Sequence, residues 1–189
     1  MADFTLSSAS YCRPHRSPFG QPPVRVLPAS TGMSSAGSIT VGQVCALDYR
    51  GVSTSFHKVY GITASSFATV STQGPVVGIA ASSHAANSEH GKGVTIFEAN
   101  PLVEFKAVTK EGTLASSHVG SARTLAWDST LSIAYVDLGA STAADNRVLV
   151  TDLIDAVGDS GGYVAFRFLT GDYASTNNSS QHWLAFYSR

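Results

Sequence analysis

The chain has 189 residues, of which 43% are hydrophobic and 13% charged, and 12 Lys and Arg against 13 Asp and Glu leave a net charge of −1. That length suits one domain, and so even a charge balance leaves no basic footprint for nucleic acid. So few charges imply a surface of Ser, Thr, Asn and Gly or one covered by partners, on copies that repel one another weakly.

Residues 1–38 differ from the rest. Five of the seven prolines (Pro14, Pro18, Pro22, Pro23, Pro28) fall there. Proline has no N–H to give a ladder and is excluded from helix interiors, so the segment is expected to be extended or irregular. It also carries Phe4, Leu6, Tyr11, Phe19, Val24, Val26 and Leu27 at intervals, large apolar groups that disordered leaders seldom carry. The segment is either a disordered leader or, as these spaced groups favour, an arm that orders against a neighbouring subunit. The N-terminus has no apolar core of a secretory signal, and no run approaches the ~18 residues of a membrane span. The chain is therefore expected to fold in the cytosol of the cell that makes it. Cys12 and Cys45 read as two free thiols, Cys45 as a small buried hydrophobe within an apolar run.

From Ile39 to the C-terminus the texture is β. The runs "SITVGQVCALD", "TSFHKVYGI", "GPVVGIAA", "VTIFEA", "LVEFKAV", "HVGSARTLAWD", "LSIAYVDL", "RVLVTDLI", "GYVAFRFL" and "QHWLAFYS" are short and rich in β-branched and aromatic residues. Turn signals bound each, the pattern of a small β-barrel or β-sandwich. "VTDLIDAVG" has the best helical period and still reads mostly as strand. The prediction is a mainly β domain over 39–189 with an extended arm over 1–38.

One motif suggests chemistry. "GDSGG", Gly158–Gly162, is the pentapeptide around the nucleophile of trypsin-like serine proteases, with Ser160 at the nucleophile position and the Gly158 and Ser160 N–H groups as oxyanion donors. His84 would be the base and Asp128 or Asp137 the acid. Too little chain separates either aspartate from Ser160 to hold the second barrel of that fold, and Tyr163 stands where that family has Pro. A turn in which Asp and Ser bond their own backbone and Gly supplies positive φ explains the same letters. No catalytic residue is therefore assigned.

The remaining residues give no cofactor or metal site. The six histidines lack ligand spacing; His84, His90 and Glu89 read as a solvated loop, and Asp152, Asp155 and Asp159 as turn aspartates. No phosphate-binding glycine loop follows a strand. The C-terminal run holds Trp183, Phe186 and Tyr187 almost without charge, and reads as a core closure or an edge awaiting a partner. Together with the arm it points to a subunit contact, because aromatic side chains anchor such contacts.

At "VGQVCALDYRGV", "GPVVGIAA", "VTIFEANPLVEFKA" and "RVLVTDLIDAVGDSGGYVAFRF" the chain resembles the head decoration, or cement, proteins of tailed bacteriophages, over roughly residues 39–169. The resemblance implies a structural virion protein, made in the host cytoplasm, that binds the exterior of a capsid. Its partners would be the major capsid protein and itself, as a homotrimer that stabilises contacts between capsomers without enzymatic chemistry. Phe4, Tyr11, Phe19, Val24, Trp183, Phe186 and Tyr187 are the expected contact residues. The alternatives are another phage structural part (a fibre, a tail protein or a jelly-roll capsid component) and a trypsin-like protease using Ser160.

Overall fold

The structure is a computed structural model and describes residues 12–29, 38–47, 59–62, 76–85, 93–139 and 146–169. The described residues form eleven strands and no α-helix, as the β texture leads one to expect. In chain order they are β1 (Arg13–Arg16), β2 (Val24–Pro28), β3 (Val44–Leu47), β4 (Val59–Gly61), β5 (Val76–Ala80), β6 (Gly93–Glu98), β7 (Glu104–Lys110), β8 (Ala122–Asp128), β9 (Ile133–Asp137), β10 (Asn146–Leu153) and β11 (Tyr163–Phe168). The stretch "VTDLIDAVG" is strand as far as Leu153 and turn after it.

Strands β7 to β11 close into a barrel. The order β7-β11-β10-β8-β9 is antiparallel at every step, and a parallel pairing of β9 back onto β7 (Val108↔Tyr135 to Lys110↔Asp137) completes the ring. Alternation decides what faces inward, since successive residues point to opposite faces. On β7, Phe105, Ala107 and Thr109 are wholly buried, while Lys106 and Lys110 lie outside over the rings of Tyr163 and Tyr135 at 5.4 and 5.1 Å. Phe105, Phe166 and Phe168 pack as one aromatic set, with centroids 5.2–6.0 Å apart.

Strands β2 to β6 form a second sheet in the order β2-β6-β5-β3-β4. Its two end strands meet through a single parallel bridge, Ala29↔Val59. The second sheet therefore repeats the barrel's connectivity. In each set of five, the first strand pairs with the fifth, the fifth with the fourth, the fourth with the second and the second with the third, all antiparallel. The third then returns parallel to the first. An Ala–Tyr pair recurs at the second-to-third contact, as Ala46↔Tyr60 and as Ala126↔Tyr135. Val94, Ile96, Cys45, Val59 and Val77 fill the inside of the second sheet, and the opposite face (Val44, Ala46, Tyr60, Ile79) joins one apolar cluster with the barrel's interior.

The N-terminal segment is extended where it is described, and it is also paired. Residues 13–16 lie antiparallel on β7 and residues 24–28 on β6. Proline thus does not keep this segment out of the ladders; it confines it to edges, with Pro14 in an end strand and Pro28 at a strand terminus. Cys12 and Cys45 are both free and both buried, burial being expected of Cys45 alone, and burial raises both thiol pKa values, that of Cys45 to about 12.

Candidate interaction surface

The GDSGG loop joins β10 to β11, and most of its letters have a structural use. Gly158 and Gly161 take left-handed φ values of 96° and 74°. Asp159 accepts the Ala156 N–H at 3.1 Å and Asp155 accepts that of Tyr163 at 2.8 Å. A Cβ on Gly162 would lie 2.8 Å from Leu114, so glycine is needed for close approach there. Gly158 gives its N–H to the Leu114 carbonyl at 2.8 Å. That bond uses one of the two N–H groups an oxyanion hole would require.

The residues that would join Ser160 are placed elsewhere. Ser160 is exposed and bridges Thr113 on the barrel, whereas His84 bridges Ile39 beside the other sheet. Asp128 receives a 2.5 Å hydrogen bond from Lys110 and the Thr130 and Leu131 N–H groups at 2.9 and 3.0 Å. The Lys110 ammonium holds its carboxyl below the ordinary range. Asp137 accepts the Gly139 N–H at 2.8 Å. Among the described residues no three His, Cys, Asp or Glu side chains converge as a metal site would need.

What the fold builds outward is an apolar surface with a charged frame. Between β1 and β2 the chain makes a tight turn. Ser17 accepts the Phe19 N–H on its hydroxyl at 3.2 Å, its carbonyl accepts the Gly20 N–H at 3.3 Å, and Gly20 takes a φ of 76°. This locked turn carries Phe19 at its tip, 55% exposed. On one side lies a cleft of about 560 Å³ walled by Arg16, Pro18, Leu102, Glu104 and Arg167. A second, of about 400 Å³, lies between Pro14, Gly20, Pro22 and Phe97.

The charges in the first cleft are ordered. Glu104, buried on β7, accepts from Arg16 at 3.4 Å and from Arg167 at 3.1 Å, and Arg16 also reaches Asp152 at 3.6 Å. These pairs tie β1, β7, β10 and β11 together at that end of the barrel. Burial and the neighbouring Arg16 and Lys106 charges keep the His15 pKa below its usual value.

Of the expected contact residues, Phe19 and Val24 are exposed, at 55% and 57%. Phe4, Tyr11, Trp183, Phe186 and Tyr187 lie outside the described residues. Sequence reasoning missed Leu102, 54% exposed, and named Val26, 64% exposed, among the apolar groups of the arm but not among the contact residues. Val26 was legible as the alternate neighbour of Val24 on a Pro-flanked edge. Leu102 looks in sequence like one more apolar residue of "PLVEF". No protein-family model, curated protein or solved structure matches the chain.

Proposed function

We propose that this chain is a decoration protein of a phage head, which binds the outside of the capsid lattice as a homotrimer and stabilises contacts between capsomers. The observation that carries the reading is Phe19, an exposed aromatic on a turn whose backbone is already fixed, next to a cleft that Pro18 and the exposed Leu102 line. Pre-ordering lowers the entropy cost of binding, and a desolvated aromatic anchor is the usual centre of such contacts. The ordered Arg16–Glu104–Arg167 group supplies a polar rim. Low overall charge and a closed barrel suit a protein that adds contact area and performs no reaction.

The test is sedimentation of purified protein with undecorated heads of the virus that encodes it. Phe19→Ala, which touches no described hydrogen bond beyond its own backbone, should weaken capsid binding by about 2 kcal/mol, roughly thirty-fold in Kd, with unchanged melting. Equal occupancy of wild type and variant removes Phe19 from the contact. A fluorophosphonate probe on the same preparation checks the non-enzymatic part of the reading. Labelling of wild type that is lost in Ser160→Ala would replace it with a serine hydrolase.

A further inference from the structure

The cleft beside the Phe19 turn sets two guanidiniums on one carboxylate. Glu104, at the start of β7, is buried, and its two oxygens are shared: Oε2 accepts from Arg16 Nη1 at 3.4 Å and Oε1 from Arg167 Nη2 at 3.1 Å. These bonds leave both arginines with donors to spare, since a guanidinium carries several N–H groups in a planar fork. Arg167 keeps its Nε buried with no hydrogen-bond partner, and a buried donor left unmet costs free energy until an acceptor reaches the group. Arg16 Nη2 faces Asp152 at 3.6 Å, beyond hydrogen-bond length, with the two side chains 61% and 51% exposed. An ion pair so open to water contributes little and is readily exchanged. Pro18 and the exposed Leu102 line the same cleft, which has a volume of about 560 Å³.

Charge narrows what the cleft accepts. Its lining sets Arg16 and Arg167 against Glu104 alone, while Asp152 stands outside the lining and touches only Arg16 among these groups. A monoanion suits that balance, whereas a phosphate dianion would meet the Glu104 carboxylate with a charge left over. Planar guanidiniums match a planar carboxylate through paired hydrogen bonds, and the wall of Pro18 and Leu102 suits the methylenes that carry such a group. We propose that the Arg16–Arg167 cleft is a carboxylate-binding site, and that it takes an acidic side chain of the protein partner beside the Phe19 contact. The incoming carboxylate exchanges with Asp152 on Arg16 and leaves Glu104 where it is, holding the two guanidiniums in register. The site stands apart from the capsid reading; only the identity of the partner that supplies the carboxylate rests on it.

The probe is N-acetyl-glutamyl amide, whose only charge is a side-chain carboxylate, with N-acetyl-glutaminyl amide as its uncharged counterpart. Added to the full chain at constant ionic strength, the first should shift the Arg16 and Arg167 Nε–Hε and Leu102 methyl NMR signals saturably, with a Kd on the order of millimolar. The second should bind at least about tenfold more weakly. Arg123, whose guanidinium bonds Ser121 and the Leu138 carbonyl, is the internal control and should not move. Arg16→Gln, an exposed position on an end strand, should weaken the charged probe about tenfold while the rest of the spectrum stays that of the folded chain. Equal binding of the two probes, or an equal shift at Arg123, would overturn the site. A second arm tests the source of the carboxylate. From heads with protein bound, about 50 mM of the charged probe should release protein that the uncharged one, at matched ionic strength, leaves in place. Release by neither would overturn the assignment to a partner's side chain. A chain that binds no heads at all would end the capsid reading, while the first arm still decides the site.

Discussion

Asp128 shows how one side chain joins local and long-range order. Its Oδ1 accepts the Thr130 and Leu131 N–H groups and so shapes the β8–β9 turn, while Oδ2 accepts from Lys110 on β7. The Lys110 bond is the main cause of its lowered pKa, and the same bond raises that of Lys110. A carboxyl whose pKa is depressed by folding stabilises the native state above its unfolded value, about 3.9, and that contribution is lost as pH falls through the lower folded value. Asp128→Asn retains an acceptor for the turn and removes the charge. It should cost about 1.5 kcal/mol at pH 7, read from the urea midpoint. The gap between variant and wild type should close as pH falls below the ordinary carboxylate range. A gap that is constant down to pH 2 would mean that the charge of Asp128 contributes nothing.

At the scale of the element, glycine explains why "VVGIA" reads as it does. Gly78 is central to β5, pairing with Cys45 on one side and Glu98 on the other. A Cβ there would sit 1.9 Å from the Phe97 carbonyl oxygen, and the φ of 155° is one that side chains rarely adopt. Backbone cannot yield as the end of a side chain can, so Gly78→Ala should destabilise by about 3 kcal/mol or more. Gly20→Ala, with open space around it, should cost only its backbone strain, about 1 kcal/mol. Melting of the two variants side by side checks the contrast, and equal losses would contradict the close approach. Gln43 acts similarly between elements: buried, it donates to the Ile62 carbonyl at 3.1 Å and accepts the Thr40 N–H at 2.9 Å, lying against Gly61. The same scale revises the arm. Because residues 13–16 and 24–28 are strands of the two sheets, a truncation that spares the described fold ends at Tyr11.

For the molecule as a whole, the two five-stranded units share one buried apolar cluster, although the second sheet also encloses a smaller one of its own. One apolar cluster takes Phe105, Phe166 and Val136 from the barrel together with Val44, Tyr60 and Ile79 from the second sheet. Cys12, next to β1, belongs to it too. Units that share a buried cluster lose it together, so unfolding should be a single transition with calorimetric and van't Hoff enthalpies equal. Two resolved transitions would show that the sheets fold as separate domains despite the contact.

The mainly β class, the strand runs, the turn at GDSGG and the free state of both cysteines follow from local sequence. Period-two apolar alternation and Gly, Asp and Pro chemistry act over a few residues and need no partner. Phe19 and Val24 were also legible as exposed pegs, since each stands among prolines that no core strand would contain. What only the tertiary structure decided is non-local. The parallel closure of β9 on β7, the repeat of one connectivity in two sets of strands, and the pairing of β1 with a strand some ninety residues on depend on long loop closures. No short window of sequence records these. The likeness between the two sheets lies in connectivity and alternation, which many sequences satisfy, and so leaves almost no trace in the residues themselves. Leu102 became part of a surface only because β7 and the turn before β2 meet there; its own neighbours in sequence say nothing of it.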